Sequence, residues 1–293
     1  MIEYPLITKK EVKRNKSLKG IQKEYHKNHR RIKAHFPNAR ISKVVRLRER
    51  DSFFDFTDKI DGKTEPKSIT AQQLLETVRS MNISGLGGSA FPTDKKLRAV
   101  IESGATDKFL IINGVECDPG LLHDAWLIKN HLPELEAGIK LLADAISFQR
   151  IFLATKDAPT VTAKGYEIVV VPNRYPMGAE KILVEHVLGI SLAPKDIPAE
   201  KGILIMNVQT LHAIYEAVCQ NRPADSRLIT VADLNTGEAV IARAYLGTSM
   251  TELMDRITQK HHNQSVYVGG GILSARKASP NETLSANINL IAY

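Results

Sequence analysis

Cysteine is nearly absent: Cys117 and Cys219 are the two in 293 residues. Four thiolates cannot be gathered within this sequence, which excludes a four-cysteine zinc site or an iron–sulfur cluster of its own. Two thiols in a reducing cytoplasm are expected to stay unpaired rather than form the one conceivable disulfide. Long apolar runs are missing too, since no stretch approaches the roughly 18 residues a membrane helix needs. The opening MIEYPLITKKEVKRNK lacks the apolar core and cleavage site of a secretory signal, so a cytoplasmic protein is expected. The hydrophobic share of 43% is ordinary for a chain with a sizeable core.

Charge of one sign is confined to one region. Residues 9–50 hold 16 Lys/Arg and 3 Asp/Glu, a local +13, so a total of +8 leaves −5 for the rest. The body is mildly acidic and the basicity belongs to an N-terminal arm. Such an arm is either a solvated leader or a docking element for an acidic partner or a membrane surface. Nucleic acid is the least supported partner, because the arm has only Tyr25 and Phe36 as aromatics and no recognisable motif.

Residues 1–66 read as this extended arm, ending in a few strand residues, with a short alternating patch at Ile41–Leu47 and a turn signal at Asp61–Gly62. Thr70 and Gln73 form a capping box, and Leu74, Leu75, Val78 and Met81 then share one helix face. A second helix starts near Thr93. Between them lies Gly85–Leu86–Gly87–Gly88–Ser89–Ala90–Phe91–Pro92. Apolar strands are expected at 109–112, 151–154, 167–171 and 203–206, alternating with helices at about 133–146, 179–188 and 209–219. That alternation predicts an α/β fold, a Rossmann-like, mostly parallel sheet covered by helices. Beyond 222 the pattern changes to two strands at 227–232 and 239–244, a helix near 251–259 and a strand at 265–268 running into Gly269–Gly270–Gly271. This suggests a small β-grasp-like module at 223–293 after an α/β domain at 67–222.

Four short segments could carry chemistry. The glycine loop is not the dinucleotide fingerprint, because it follows a helix rather than a strand. It is either a plain turn or a place where the backbone approaches a flat or phosphorylated ligand, with Phe91 to stack and Lys96 to neutralise a phosphate. The others follow strands: Asn113–Gly114–Val115–Glu116–Cys117–Asp118–Pro119–Gly120, then Arg174–Tyr175–Pro176–Met177–Gly178–Ala179–Glu180–Lys181, then Asn207–Val208–Gln209–Thr210. In open parallel sheets, ligands bind beyond the carboxyl ends of the strands. The histidines at 123, 131, 186, 261 and 262 lack metal-ligand spacing and are read as surface or core residues.

The order GLGGSAFPTDKKL, IINGVECDPG, RYPMGAEK, MNVQTL resembles the flavin domain in the C component of the Rnf electron-transport complex. It is also similar to the cobalamin reductase of propanediol-utilisation organelles and, more distantly, to the NADH-binding flavoprotein subunit of respiratory complex I. The resemblance spans about 67–293, and its last stretch looks like the SLBB module of those proteins. It implies FMN and NADH as cofactors. Gly85, Gly87 and Gly88 would line the flavin, Lys96 would sit near its phosphate, and Asn113 and Glu116 would face the ring or ribityl chain. Asp118 would lie near the nicotinamide nucleotide and Phe91 would stack on its base. Tyr175, Gly178 and Glu180 would close the site, and Asn207 and Thr210 would hold the phosphate.

Two departures stand out. Ala90 and Asp94 occupy positions where the family has glycine, adding a methyl and a negative charge. The family's cysteine-rich module is also missing, so electrons would have to leave to a separate redox partner, with the basic arm as a docking element. The resemblance thus implies an FMN-dependent, NADH-oxidising electron-transfer protein, cytoplasmic or peripheral to a membrane complex. The alternative is a non-catalytic scaffold with a degenerate flavin site.

Overall fold

A computed structural model of the chain describes residues 48–58, 68–258 and 266–293, apart from 117, 119, 158, 160–162, 164, 174, 235, 273 and 280. The arm through residue 47, with its patch at 41–47, lies outside the described residues. The chain forms two compact units that are discontinuous in sequence. One contains 68–116 and 124–224, and the other contains 48–58, 118–123 and 225–293.

The larger unit is built on four parallel strands in the order β4-β3-β2-β5. They are β2 (Phe109–Gly114), β3 (Arg150–Thr155), β4 (Glu167–Val170) and β5 (Ile203–Asn207). The central strand β2 buries Leu110, Ile111 and Ile112 completely, as a strand covered on both faces must. Burying each such side chain contributes about 1.5–3 kcal/mol. Its helices are α1 (Ala71–Ser80), α2 (Thr93–Ile101), α3 (His123–Asn130), α4 (Leu132–Ala145), α5 (Glu180–Leu188) and α6 (Val208–Gln220). The capping box is present: Thr70 Oγ1 accepts from the Gln73 amide at 3.2 Å, and Gln73 Oε1 accepts from the Thr70 amide at 3.0 Å. Leu74 and Val78 of α1 face inward, whereas Met81 stays half-exposed. Helix α4 packs on α6 so closely that a Cβ at Gly138 would touch Leu211.

The other unit is a mixed six-stranded sheet in the order β1-β7-β6-β10-β8-β9. Its strands are β1 (Arg48–Asp55), β6 (Ser226–Asp233), β7 (Glu238–Tyr245), β8 (Tyr267–Gly269), β9 (Arg276–Lys277) and β10 (Leu290–Ala292), with helix α7 (Met250–Thr258). Ile229, Val231, Ala242, Leu253, Met254, Val268 and Ile291 form its core, with Phe54 and Phe56 packed against it. The strand–strand–helix–strand order expected after residue 222 is present as β6, β7, α7 and β8. Strand β1 lies within the arm, where a few strand residues are expected, but it is an eight-residue strand of this sheet. It runs parallel to β7 and pairs Phe54 with Ala242. RERDSFFD has no clean alternation, so the strand exists because of a distant partner.

Candidate functional site

The loop between α1 and α2 is closed at its neck. Gly85 donates to the Phe91 carbonyl at 2.8 Å, and Ala90 donates to the Gly85 carbonyl at 3.1 Å. Leu86 is buried, and its amide donates to Thr210 Oγ1 at 2.9 Å. Gly87 lies against Asn207, where an added Cβ would come within 3.2 Å of the Asn207 Cβ. Gly88 has φ +99, a conformation that suits glycine. Three successive amides follow in the loop, those of Gly87, Gly88 and Ser89. Among the described residues they make no hydrogen bond. Phe91 beside them is 47% exposed.

Asn207 is the N-cap of α6 and does two jobs. Its Oδ1 accepts from the Gln209 amide at 2.9 Å, and its Nδ2 donates to Asp124 Oδ2 at 2.6 Å. Gln209 Nε2 lies 3.4 Å from the other Asp124 oxygen. Asp124 is buried in the first turn of α3, and its backbone amide donates to Glu116 at 2.9 Å. Glu116 is buried, has φ +40, and receives a Lys156 Nζ hydrogen bond on its backbone carbonyl at 2.8 Å. Burial pushes the Glu116 carboxyl up to about 8, and the Asp124 charge adds to that; Lys156 and the Asp124 and Ala125 amides oppose it.

Asn113 ties the end of β2 to the turn before α5. Its Nδ2 donates to the Gly178 carbonyl at 2.9 Å, and its Oδ1 accepts from the Val115 amide at 3.1 Å. Lys96 Nζ is bound to Glu180 Oε1 at 2.5 Å and to the Ile205 carbonyl at 3.1 Å. Tyr175 lies in the turn that leads to Gly178 and Glu180.

The sequence-expected residues therefore fall into three linked sets in the larger unit: the glycine loop with Asn207, Thr210 and Glu116; Lys96 with Glu180; and Asn113 with Gly178. Asp118 belongs instead to the mixed-sheet unit. Sequence reasoning misses Asp124 and Lys156, because an acid in a helix's first turn and a lysine after a strand are common features. Asp94 also has a local explanation, since it stands in the first turn of α2, whose N-cap Pro92 offers no side-chain bond.

An anionic group fits this arrangement. Successive backbone amides near a helix N-cap form an anion-binding concavity. Lys96 is the less direct contributor, because Glu180 already neutralises it.

These features define a parallel α/β domain with a backbone-amide site at the carboxyl edge of its sheet. Residues 78–216 match the model of the Nuo51 FMN-binding domain family. The C component of the ion-translocating oxidoreductase complex of Pseudomonas aeruginosa is 33% identical over 190 residues, 62% of this chain and 24% of the relative. Its counterpart from Rhodobacter capsulatus is 30% identical over 203 residues, 66% of this chain and 39% of the relative. The chain thus spans well under half the length of these relatives. An NAD+-reducing [NiFe]-hydrogenase structure in the air-oxidised state shares the fold, with TM-score 0.62 and 21% identity over 78% of this chain and 47% of that one. No helix among the described residues is long and apolar enough to cross a membrane.

Proposed function

We propose that the larger unit binds FMN, that NADH reduces it, and that the electrons leave to a separate redox protein. The observation that carries this reading is the row of amides at Gly87, Gly88 and Ser89, unpartnered among the described residues and set against the α6 N-cap. FMN, when bound, supplies the hydride-accepting ring, and the protein supplies orientation and electrostatics. In this reading Gly85, Gly87 and Gly88 line the flavin, and Asn207 and Thr210 hold the loop that meets its phosphate. Lys96 exchanges Glu180 for phosphate. Asn113 and Glu116 face the ring or ribityl chain, and Tyr175, Gly178 and Glu180 close the site. Glu116 is protonated below about pH 8, so it presents a neutral carboxyl where a second negative charge would oppose reduction. Phe91 stacks on the NADH base and Asp118 faces the nicotinamide nucleotide.

The mixed-sheet unit is read as an SLBB-like β-grasp module, with domain limits at 67–222 and 223–293 and β1 added to the second. Relatives named as components of an ion-translocating complex support a protein redox partner, and residues 9–50 are its docking element, which gives a position peripheral to a membrane complex. A scaffold with a degenerate flavin site is the second reading; the Lys96–Glu180 pair and the positive φ of Ala90 favour it.

An absorption spectrum after incubation with FMN and desalting, followed by anaerobic NADH, decides between the two. Retained flavin bands that bleach with NADH are expected. Lys96→Ala should weaken FMN binding by roughly ten- to a hundredfold. Unchanged affinity would remove Lys96 from the phosphate. A colourless protein that FMN does not stabilise against heat would leave the scaffold reading standing.

A further inference from the structure

Asp124 is buried in the first turn of α3, and both of its carboxylate oxygens face side-chain amides of the α6 N-terminus. Asn207 Nδ2 donates to Oδ2 at 2.6 Å, and Gln209 Nε2 stands 3.4 Å from Oδ1. A carboxylate accepts at both oxygens, whereas an amide or a protonated acid presents a donor at one of them. Because Asp124 takes up Asn207 Nδ2, the Oδ1 of Asn207 is left to accept from the Gln209 amide at 2.9 Å and cap the helix. Asn207 also lies against the glycine loop. An added Cβ at Gly87 would come within 3.2 Å of the Asn207 Cβ, and the Leu86 amide donates at 2.9 Å to Thr210 in the first turn of α6.

We infer that Asp124 is a positioning residue for the anion site of the larger unit: it fixes which way the Asn207 amide points, and it keeps the negative charge of the pair off the residue that touches the glycine loop. For the identity of the anion the inference rests on the FMN reading; for the seating of α6 it does not. An aspartate caps a helix as well as an asparagine does. The reverse arrangement, acid at 207 and amide at 124, would therefore satisfy the same donors. It would also set a carboxylate against Gly87, at the start of the amide row of Gly87, Gly88 and Ser89, where it would repel a phosphate. With asparagine at 207 the cap is neutral there. The two amide donors and the first turn of α3 offset the buried charge at 124.

The test is a reciprocal exchange of the two residues in the full chain, read as a double-mutant cycle. In Asp124→Asn an N–H group meets an N–H group, and in Asn207→Asp a carboxylate meets a carboxylate. In the double variant a donor faces an acceptor again. Without flavin, the Gln209 and Leu86 amides should exchange roughly tenfold faster or more in each single variant, and near the wild-type rate in the double variant. FMN affinity should fall roughly ten- to a hundredfold in Asp124→Asn and stay low in the double variant. Riboflavin, which lacks the phosphate, should bind the double variant and the wild type alike. Single variants that exchange like the wild type, or a double variant as loose as the singles or unfolded, would overturn the positioning role. Should a single variant fail to fold, a folded double variant is the same rescue. Wild-type FMN affinity in the double variant, or an equal loss of riboflavin and FMN affinity, would overturn the charge placement. If the wild-type chain bound no flavin, the FMN reading would fall, and hydrogen exchange would still decide the role of Asp124.

Discussion

At Ala90 the backbone has φ +50, where a Cβ crowds the neighbouring carbonyl and costs about 1 kcal/mol or more. The hydrogen bond from its amide to Gly85 closes the loop and holds it in that conformation. Ala90→Gly should therefore raise the melting temperature by roughly 2–4 °C, measurable by scanning calorimetry. A lower value would mean that the methyl makes contacts worth more than the strain. Glu116 poses a different test. Its carboxyl is raised from 4.5 to about 8, so the folded chain holds a proton that the unfolded chain releases. Its stabilising effect is complete below pH 4.5 and is lost as pH rises through about 8, on the order of a few kcal/mol across that window. Urea melts from about pH 5 to 8.5 should show this decline in the wild type and a flatter profile in Glu116→Gln. Equal slopes would mean that another group sets the pH dependence. Neither property is legible in sequence: φ at Ala90 follows from loop closure, and the Glu116 shift requires Asp124 and burial to be known together.

Among the elements, legibility tracks locality. The Thr70–Gln73 box, the apolar run at 109–112 and the Asn207 cap are written within a few residues, and the structure holds each of them. Strand β1 is not legible in this way, because its hydrogen bonds go to Glu238–Arg243. Its contribution can be measured by comparing chains shortened before residue 48 and after residue 58. The longer truncation removes Phe54 and Phe56 from the core edge and should cost on the order of 3 kcal/mol or more in chemical denaturation. It should also leave β7 as a bare edge prone to association. Equal stability of the two truncations would reduce β1 to a passive attachment. The site follows the same rule. Motifs behind strands are visible in sequence, while the pairing of Lys96 with Glu180 is not, since both residues read as available for a ligand.

Over the whole molecule, two sheets with separate hydrogen-bond networks share one chain. The parallel sheet joins Phe109 to Arg150 and to Ile203. The mixed sheet joins Arg48 to Glu238 and Thr230 to Leu290, and it also recruits Leu122 to Thr230. A reading of domains as consecutive blocks misses this interleaving, since nothing in the local sequence of 118–123 signals membership of a distant sheet.

The interleaving also orders events in time. Closing a long loop costs chain entropy before any contact repays it, so the longest-range pairings form late. The parallel sheet and its glycine loop need shorter closures than β1 on β7. Leu122 settles only after β6 has formed the strand that receives it. A newly made chain would then complete the β1–β7 pairing last, so a molecule caught midway would carry a mixed sheet with its β7 side still open.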